Sequence, residues 1–301
     1  GNGGGIWANS ALHGANGRIE NNRSGGSGGG YYGRLAGLYL DGTVFTNNRA
    51  GGDGGGAYAF DGRAVGRALF EGNSAAGAGG GLFLQRFAHI TATRFLGNAA
   101  DLGGGLAVSR PNAGTFVQFV HNSLFARNTA AISGAGIYWN QPRPIELIHN
   151  TIASPSLAGG AAIYIVTGTV SLTNNIVASH TTGIEVIDGV VTENYTLFSG
   201  NSLNTSGPVG GGLGSFSGDP AFQNPANNDY HLSAASAAID QGMDAGLNVD
   251  FDGDVRPANS GFDLGYDETE LTVELAISKM AAPVINVPYR GEITYTVNLS
   301  N

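Results

Sequence analysis

Carboxylates at alternate positions are the sharpest chemical signal in this sequence. Asp250, Asp252 and Asp254, with Gly253 between the last two, follow the first half of a calcium loop. In such loops alternate side-chain oxygens surround a hard cation and a glycine permits the tight turn. The bidentate carboxylate that closes the loop would fall on Gly261, with Asp263 and Asp267 as the nearest substitutes. The same spacing also suits an Asp-rich turn whose side chains bond their own backbone. Calcium is therefore the cofactor to test for, at Asp250, Asp252 and Asp254.

Other candidates are more scattered. His121 and His149 recur at one slot of the repeat described below, with Glu193 further on, and two imidazoles with a carboxylate can ligate a transition metal. Thr173 occupies the intervening slot, which puts Glu193 out of reach. Asp53 and Asp101 precede glycine triplets, but Ala78 stands between them, and Arg110 has no carboxylate suggested by the register. General acid–base work needs paired or poised groups. None emerges, so a non-catalytic protein is expected, with a polysaccharide lyase or hydrolase as the alternative.

Aromatic residues form a third group: Trp7, Tyr32, Tyr58, Phe83, Tyr138 and Tyr164. Each lies one residue after a row that is aliphatic or small at Ile6, Ala57, Leu82, Ile137 and Ile163, so strand alternation puts the two sets on opposite faces. With the aliphatic set inside, the six aromatics make an outer row for binding or packing, on which glycan rings or a partner could lie.

A repeat must position all of these. The first residues after the glycine or small-residue triplets are Ile6, Tyr31, Ala57, Leu82, Leu106, Ile137, Ile163 and Ile184, at intervals of 25, 26, 25, 24, 31, 26 and 21. A second register runs through Asn22, Asn48, Asn73, Asn98 and Asn128, and a third through Ile19, Phe45, Phe70, Phe95 and Phe125. All three lengthen together at one insertion near Arg110–Thr115. Units this short stack on their neighbours instead of folding alone. Their runs are too short and too β-rich for helices, so the expected fold is all-β: a right-handed parallel β-helix, a solenoid of about eight coils of ~25 residues, with an irregular β extension. Phe fills the interior, Asn turns the chain and bonds its copy on the next rung, and glycine closes a corner that a Cβ would block.

Composition agrees and excludes other classes. The 301 residues include 51 glycines without a collagen period, and only 12% are charged. Cysteine is absent, which removes disulfides and Cys-zinc sites. Residues 1–198 carry a net charge of +1 and residues 199–301 a net charge of −10, so no basic face for nucleic acid is visible. No apolar run is long enough for a transmembrane segment. The predicted organisation is a β-helix over 1–198, an acidic loop-rich module over 199–268 packed on the helix end, and a β segment over 269–301.

The coils Gly-Gly-Gly-Leu-Phe-Leu, Phe-Leu-Gly-Asn and Gly-Gly-Gly-Ala-Tyr-Ala-Phe resemble right-handed β-helix surface proteins, including the polymorphic outer-membrane type. Asp219-Pro220, Asp229-Tyr230-His231-Leu232, Asp250 to Pro257 and Asp263-Leu264-Gly265-Tyr266 resemble the C-terminal module of bacterial choice-of-anchor β-helix proteins. Leu275 to Lys279 and Gly291 to Val297 resemble the first strands of an Ig-like surface repeat. These resemblances imply export and display at the bacterial cell surface or in the extracellular matrix, and bring no catalytic residues with them. The first coil lacks a polar cap and the Ig-like stretch holds only about three strands. The expectation is thus a structural or adhesive protein that associates with itself head to tail, by strand addition, or with a neighbouring surface protein, and a glycan-binding module on the same fold is the other non-catalytic reading.

Overall fold

The computed structural model describes residues 1–35, 37–109 and 117–271, together with strands Ala276–Ser278 and Asn298–Ser300. The chain forms two units, Gly1–Thr269 and Glu270–Asn301. In the second, Ala276–Ser278 pairs antiparallel with Asn298–Ser300. The remainder of the Ig-like expectation lies outside the described residues.

The first unit is the expected parallel β-helix, with about eight turns. Each complete coil has three strand faces. On the first, parallel pairing runs Ile6, Tyr31, Ala57, Leu82, Leu106, Ile137, Ile163 and Ile184, the row read from the glycine triplets. On the second, Leu40, Val65, Ile90, Val120, Leu147 and Leu172 align. On the third, Ile19, Phe45, Phe70, Phe95, Phe125, Ile152, Val177 and Phe198 align. These rows meet in one continuous apolar interior. Phe45, Phe70, Phe95 and Phe125 stack at centroid separations of 4.9, 5.0 and 4.6 Å, each pair of the kind that adds about 0.5–1.5 kcal/mol beyond burial. The insertion between Ser109 and Val117 shifts none of the rows.

Three of the turns in the coil use a left-handed residue. At the corner before the first face this residue is the leading glycine of each triplet: Gly28, Gly54, Gly79 and Gly103. The two glycines behind it serve close approach instead: a Cβ on Gly56 would stand 2.5 Å from the carbonyl oxygen of Gly81 in the next coil. Between the second and third faces the left-handed positions are Gly42, Arg67, Ala92, Asn122, His149 and Asn174. After the third face they are Asn21, Asn47, Gly72, Gly97 and Arg127. The Asn register was expected to supply the left-handed residue, but that residue is its predecessor. Asn48, Asn73, Asn98 and Asn128 turn inward and are buried, with Asn22 on the outermost rung. Asn150 and Asn175 repeat the ladder one corner earlier.

Parallel pairing does not stop at residue 198. Leu203–Ser206, Val209–Gly211 and Phe216–Ser217 continue it onto Thr182, Val191 and Leu197. The acidic module then lies along the flank of the coils, where the sequence had placed it on the end. Its Tyr230, Leu232, Ala238, Leu264 and Tyr266 form one buried cluster with outward residues of the third face, Leu96, Leu124, Ala153, Ile176 and Leu197. That face has an apolar outer side as well as an apolar inner side, so it needs a cover. The module also bonds the adjacent corner: Asn122 Nδ2 donates to Val249 O at 2.8 Å, and Asn174 Nδ2 to Met243 O at 2.7 Å.

Candidate functional site

The corner between the first and second faces gathers charge onto aromatic rings. Strands Ala57–Gly66 and Leu82–Thr91 bend there, bringing Phe60, Asp61 and Arg63 beside Arg86 and Phe87 of the next coil. Asp61 is buried, at 4% exposure, and a buried carboxylate needs compensation. Arg86 supplies a two-point clamp, Nε to Oδ1 at 3.1 Å and a terminal nitrogen to Oδ2 at 3.0 Å. Arg63 adds a second guanidinium at 3.0 Å from Oδ2.

Aromatic faces hold the cations in place. The Arg86 guanidinium carbon lies 4.1 Å from the centroid of Phe60, and those of Arg63 and Arg143 lie 4.9 and 4.6 Å from the centroid of Phe87. Arg143 enters from two coils further on and is buried, whereas the Arg63 side chain is 46% exposed and that of Arg86 27%. Two buried glutamines border the group. Gln141 Nε2 donates to Gln85 O at 2.6 Å while its Oε1 has no partner, and Gln118 Oε1 accepts from Ala88 N at 2.8 Å while its Nε2 has none. Two guanidinium groups on one carboxylate leave an excess of one positive charge, in a chain of net charge −9. Such a corner can bind anions, and among the described residues it holds no acid–base pair.

Sequence reasoning missed Arg63, Arg86 and Arg143 because their separations do not follow the coil period. A signal was present: each follows a member of the outer aromatic row (Tyr58, Phe83, Tyr138) within five residues.

That aromatic row is on the outer side of the first face, yet much of it is covered. Tyr32 stacks on Tyr58 at 4.8 Å, Tyr58 on Phe83 at 5.0 Å, and Tyr138 faces Tyr164 at 6.0 Å. Tyr58, Phe83 and Tyr138 are only 8, 6 and 7% exposed and form a satellite cluster with Ala78, Ala107 and Leu102. Tyr32 and Tyr164 are half-buried, and Trp7 alone of the six is well exposed, at 51%. The ring faces are thus largely engaged with one another, which leaves little of the row for glycan stacking.

The remaining sequence candidates separate. His121 pairs in register with Ile148, one position before His149, and Glu193 accepts a hydrogen bond from Ser215 Oγ at 2.6 Å. The pKa of His121 is lowered to about 4, by burial first and by the charge of His89 second. His149 is fully buried, and burial followed by the Arg256 charge holds its pKa well below the ordinary value. Asp53 Oδ1 accepts the Ala78 N–H at 2.8 Å and so closes a corner. Arg110 lies outside the described residues.

Asp250, Asp252 and Asp254 do not turn their carboxylates to a common centre. Asp250 Oδ1 accepts the backbone N–H groups of Asp252, Gly253 and Asp254 at 2.8, 2.9 and 2.9 Å, and its Oδ2 accepts that of Glu268 at 2.9 Å. It is the self-bonding turn that the same spacing allowed. Asp252 turns instead to His231. Behind the loop Arg256 and Glu268 form a fully buried pair at 2.8 Å. Burial raises the pKa of neighbouring Asp263 to about 7.

No protein family, curated protein or solved structure matches the chain. Among the described residues no helix is long and apolar enough to cross a membrane.

Proposed function

We propose that this chain is a non-catalytic, exported β-helix with an adhesive role, and that it holds acidic glycans at the Arg63–Arg86 corner. The observation that carries the reading is the pair of guanidinium groups, Arg63 and Arg86, on the single carboxylate of Asp61, backed by Phe60 and Phe87. Arginine presents a planar fork that suits carboxylate and sulfate oxygens, and a ring beneath it limits the freedom lost on binding. Arg63 and Arg86 reach solvent from adjacent coils, so an extended polymer with regularly spaced anionic groups can engage both. Polyuronates and sulfated polysaccharides have that character. Export to a bacterial surface or matrix goes with this reading, since such polymers lie outside the cell membrane.

The test is affinity electrophoresis of the whole chain through gels containing polygalacturonate, a sulfated glycan or neutral dextran. Retardation by the anionic polymers alone, weakened by salt and lost in a combined Arg63→Ala, Arg86→Ala variant, is the expected result. Equal retardation by dextran, or a variant that binds undiminished, would overturn the proposal. Incubation with the same polymers should release no new reducing ends and no unsaturated products.

A further inference from the structure

We propose that His231, Asp252 and Asp267 bind a divalent transition-metal ion, of the zinc or cobalt type, that clasps the acidic module together. His231 lies on strand Asp229–Leu232, and Asp229 holds its ring: Nδ1 stands 2.6 Å from Asp229 Oδ1, which also accepts the His231 backbone N–H at 3.2 Å. A carboxylate on one imidazole nitrogen is the arrangement that fixes the other toward a metal and raises its basicity. That other nitrogen, Nε2, is 2.9 Å from Asp252 Oδ2.

Asp267 supplies the independent observation. It is 6% exposed, and its Oδ2 accepts both Leu232 N at 2.7 Å and Thr269 Oγ1 at 3.1 Å, whereas neither bond uses Oδ1. Its Oδ1 takes neither of these hydrogen bonds and stays open as a ligand atom beside the imidazole. One ligand atom from each of His231, Asp252 and Asp267 falls within 4.8 Å of the other two. Tetrahedral ligands about 2.0–2.2 Å from one ion stand roughly 3.5 Å apart, inside the 4.8 Å that bounds these three atoms, and the exposed Asp252 has room to adjust.

Charge and ligand type select the ion. Asp229, Asp252 and Asp267 surround one imidazole, and a dication taking the place of the proton between Nε2 and Asp252 relieves their mutual repulsion. The imidazole nitrogen favours zinc or cobalt over calcium or magnesium. This site also differs from the calcium loop read in the sequence, because the oxygens of Asp250 are taken by backbone N–H groups and only Asp252 is shared. The ion would tie the hairpin strand at His231, the turn at Asp252 and the segment at Asp267, three stretches that meet only in the folded module.

Calorimetric titration of the chelator-treated whole chain with Zn2+, and separately with Co2+ followed by visible absorption, tests the site. One equivalent of Zn2+ should bind and raise the thermal midpoint, with a Co2+ spectrum of a nitrogen–oxygen site. Asp252→Asn and His231→Asn should each weaken binding at least tenfold, and Asp254→Asn should bind as the parent does. Asp252 is exposed, so its variant stays informative if His231→Asn fails to fold. Absence of Zn2+ binding, binding undiminished in Asp252→Asn, or a preference for Ca2+ over Zn2+ would overturn the proposal.

Discussion

Asn73 Oδ1 accepts two hydrogen bonds from Asn48 of the preceding coil, one from the backbone N–H at 2.9 Å and one from the side-chain amide at 3.0 Å. Its own amide donates to Phe45 O at 2.8 Å and to Asn98 Oδ1 at 3.0 Å. One side chain therefore satisfies groups on several coils, all out of reach of water. Asn73→Ala would orphan them together, and the expected loss is about 3 kcal/mol or more, since a single buried unsatisfied group costs roughly 1–3 kcal/mol. Denaturant unfolding measures it; a loss within about 0.5 kcal/mol would mean the ladder is ornamental.

Tyr230 offers the opposite sign. Its ring is fully buried beneath the module, and its hydroxyl has no partner. Burial pushes its pKa up to about 12. Removing an unsatisfied hydroxyl while keeping the ring should leave stability unchanged or raise it by about 1 kcal/mol. Tyr230→Phe should therefore melt no lower than the parent. Tyr230→Ala should cost about 3–5 kcal/mol and uncover Leu124, Ile176 and Leu197, read as dye binding to exposed apolar surface.

The turn at Asp250 predicts how the chain responds to calcium. Asp250→Ala removes the acceptor of four backbone N–H groups and should destabilise the module by about 2–4 kcal/mol, whereas exposed Asp254→Asn should be near neutral. Thermal midpoints in excess calcium and in chelator selective for calcium should coincide. A calcium-dependent rise abolished by Asp254→Asn would restore the loop reading.

Buried histidines set the acid response. His180 is 2% exposed, and burial lowers its pKa to about 4. The unfolded chain takes up this proton near the ordinary value of about 6.5. The stability associated with neutral His180 is thus intact above about pH 6.5 and falls as pH drops toward 4. His121 and His149 act in the same direction. Asp263 acts oppositely: its raised pKa makes its contribution largest below about pH 4 and lost as pH rises toward 7. Comparing parent with His180→Asn isolates one component. The variant should lose less stability between pH 6.5 and 4, by urea midpoints, and parallel curves would refute the assignment.

The repeat was legible because side chains at equivalent corners face one physical demand. Gly54, Phe70 and Asn73 each answer a separate demand of the coil: left-handed backbone, interior volume and amide pairing. Copies of those demands leave copies of the residues. The one-residue error at the Asn corner arose because either Asn47 or Asn48 could meet the turn requirement, and only burial tells them apart. The Arg63–Arg86–Arg143 corner left no such trace, since its residues come from bends whose lengths differ between coils. His231, Asp252 and Asp267 belong to a segment with no period at all, and tertiary folding alone brings them together. For the outer aromatics, alternation gave the face, but mutual stacking determined how little of each ring remains open.

The insertion between Ser109 and Val117 lengthens one coil while Leu82, Leu106 and Ile137 remain in register. Coil length at that corner can therefore vary while the rungs on either side keep their register. Arg86 and Arg143 stand at the equivalent bends of the two flanking coils. Descendants of this sequence can thus diversify what they recognise by adding or trimming chain at one place, with the inherited ladders untouched, and an engineer can graft a foreign peptide there by the same logic.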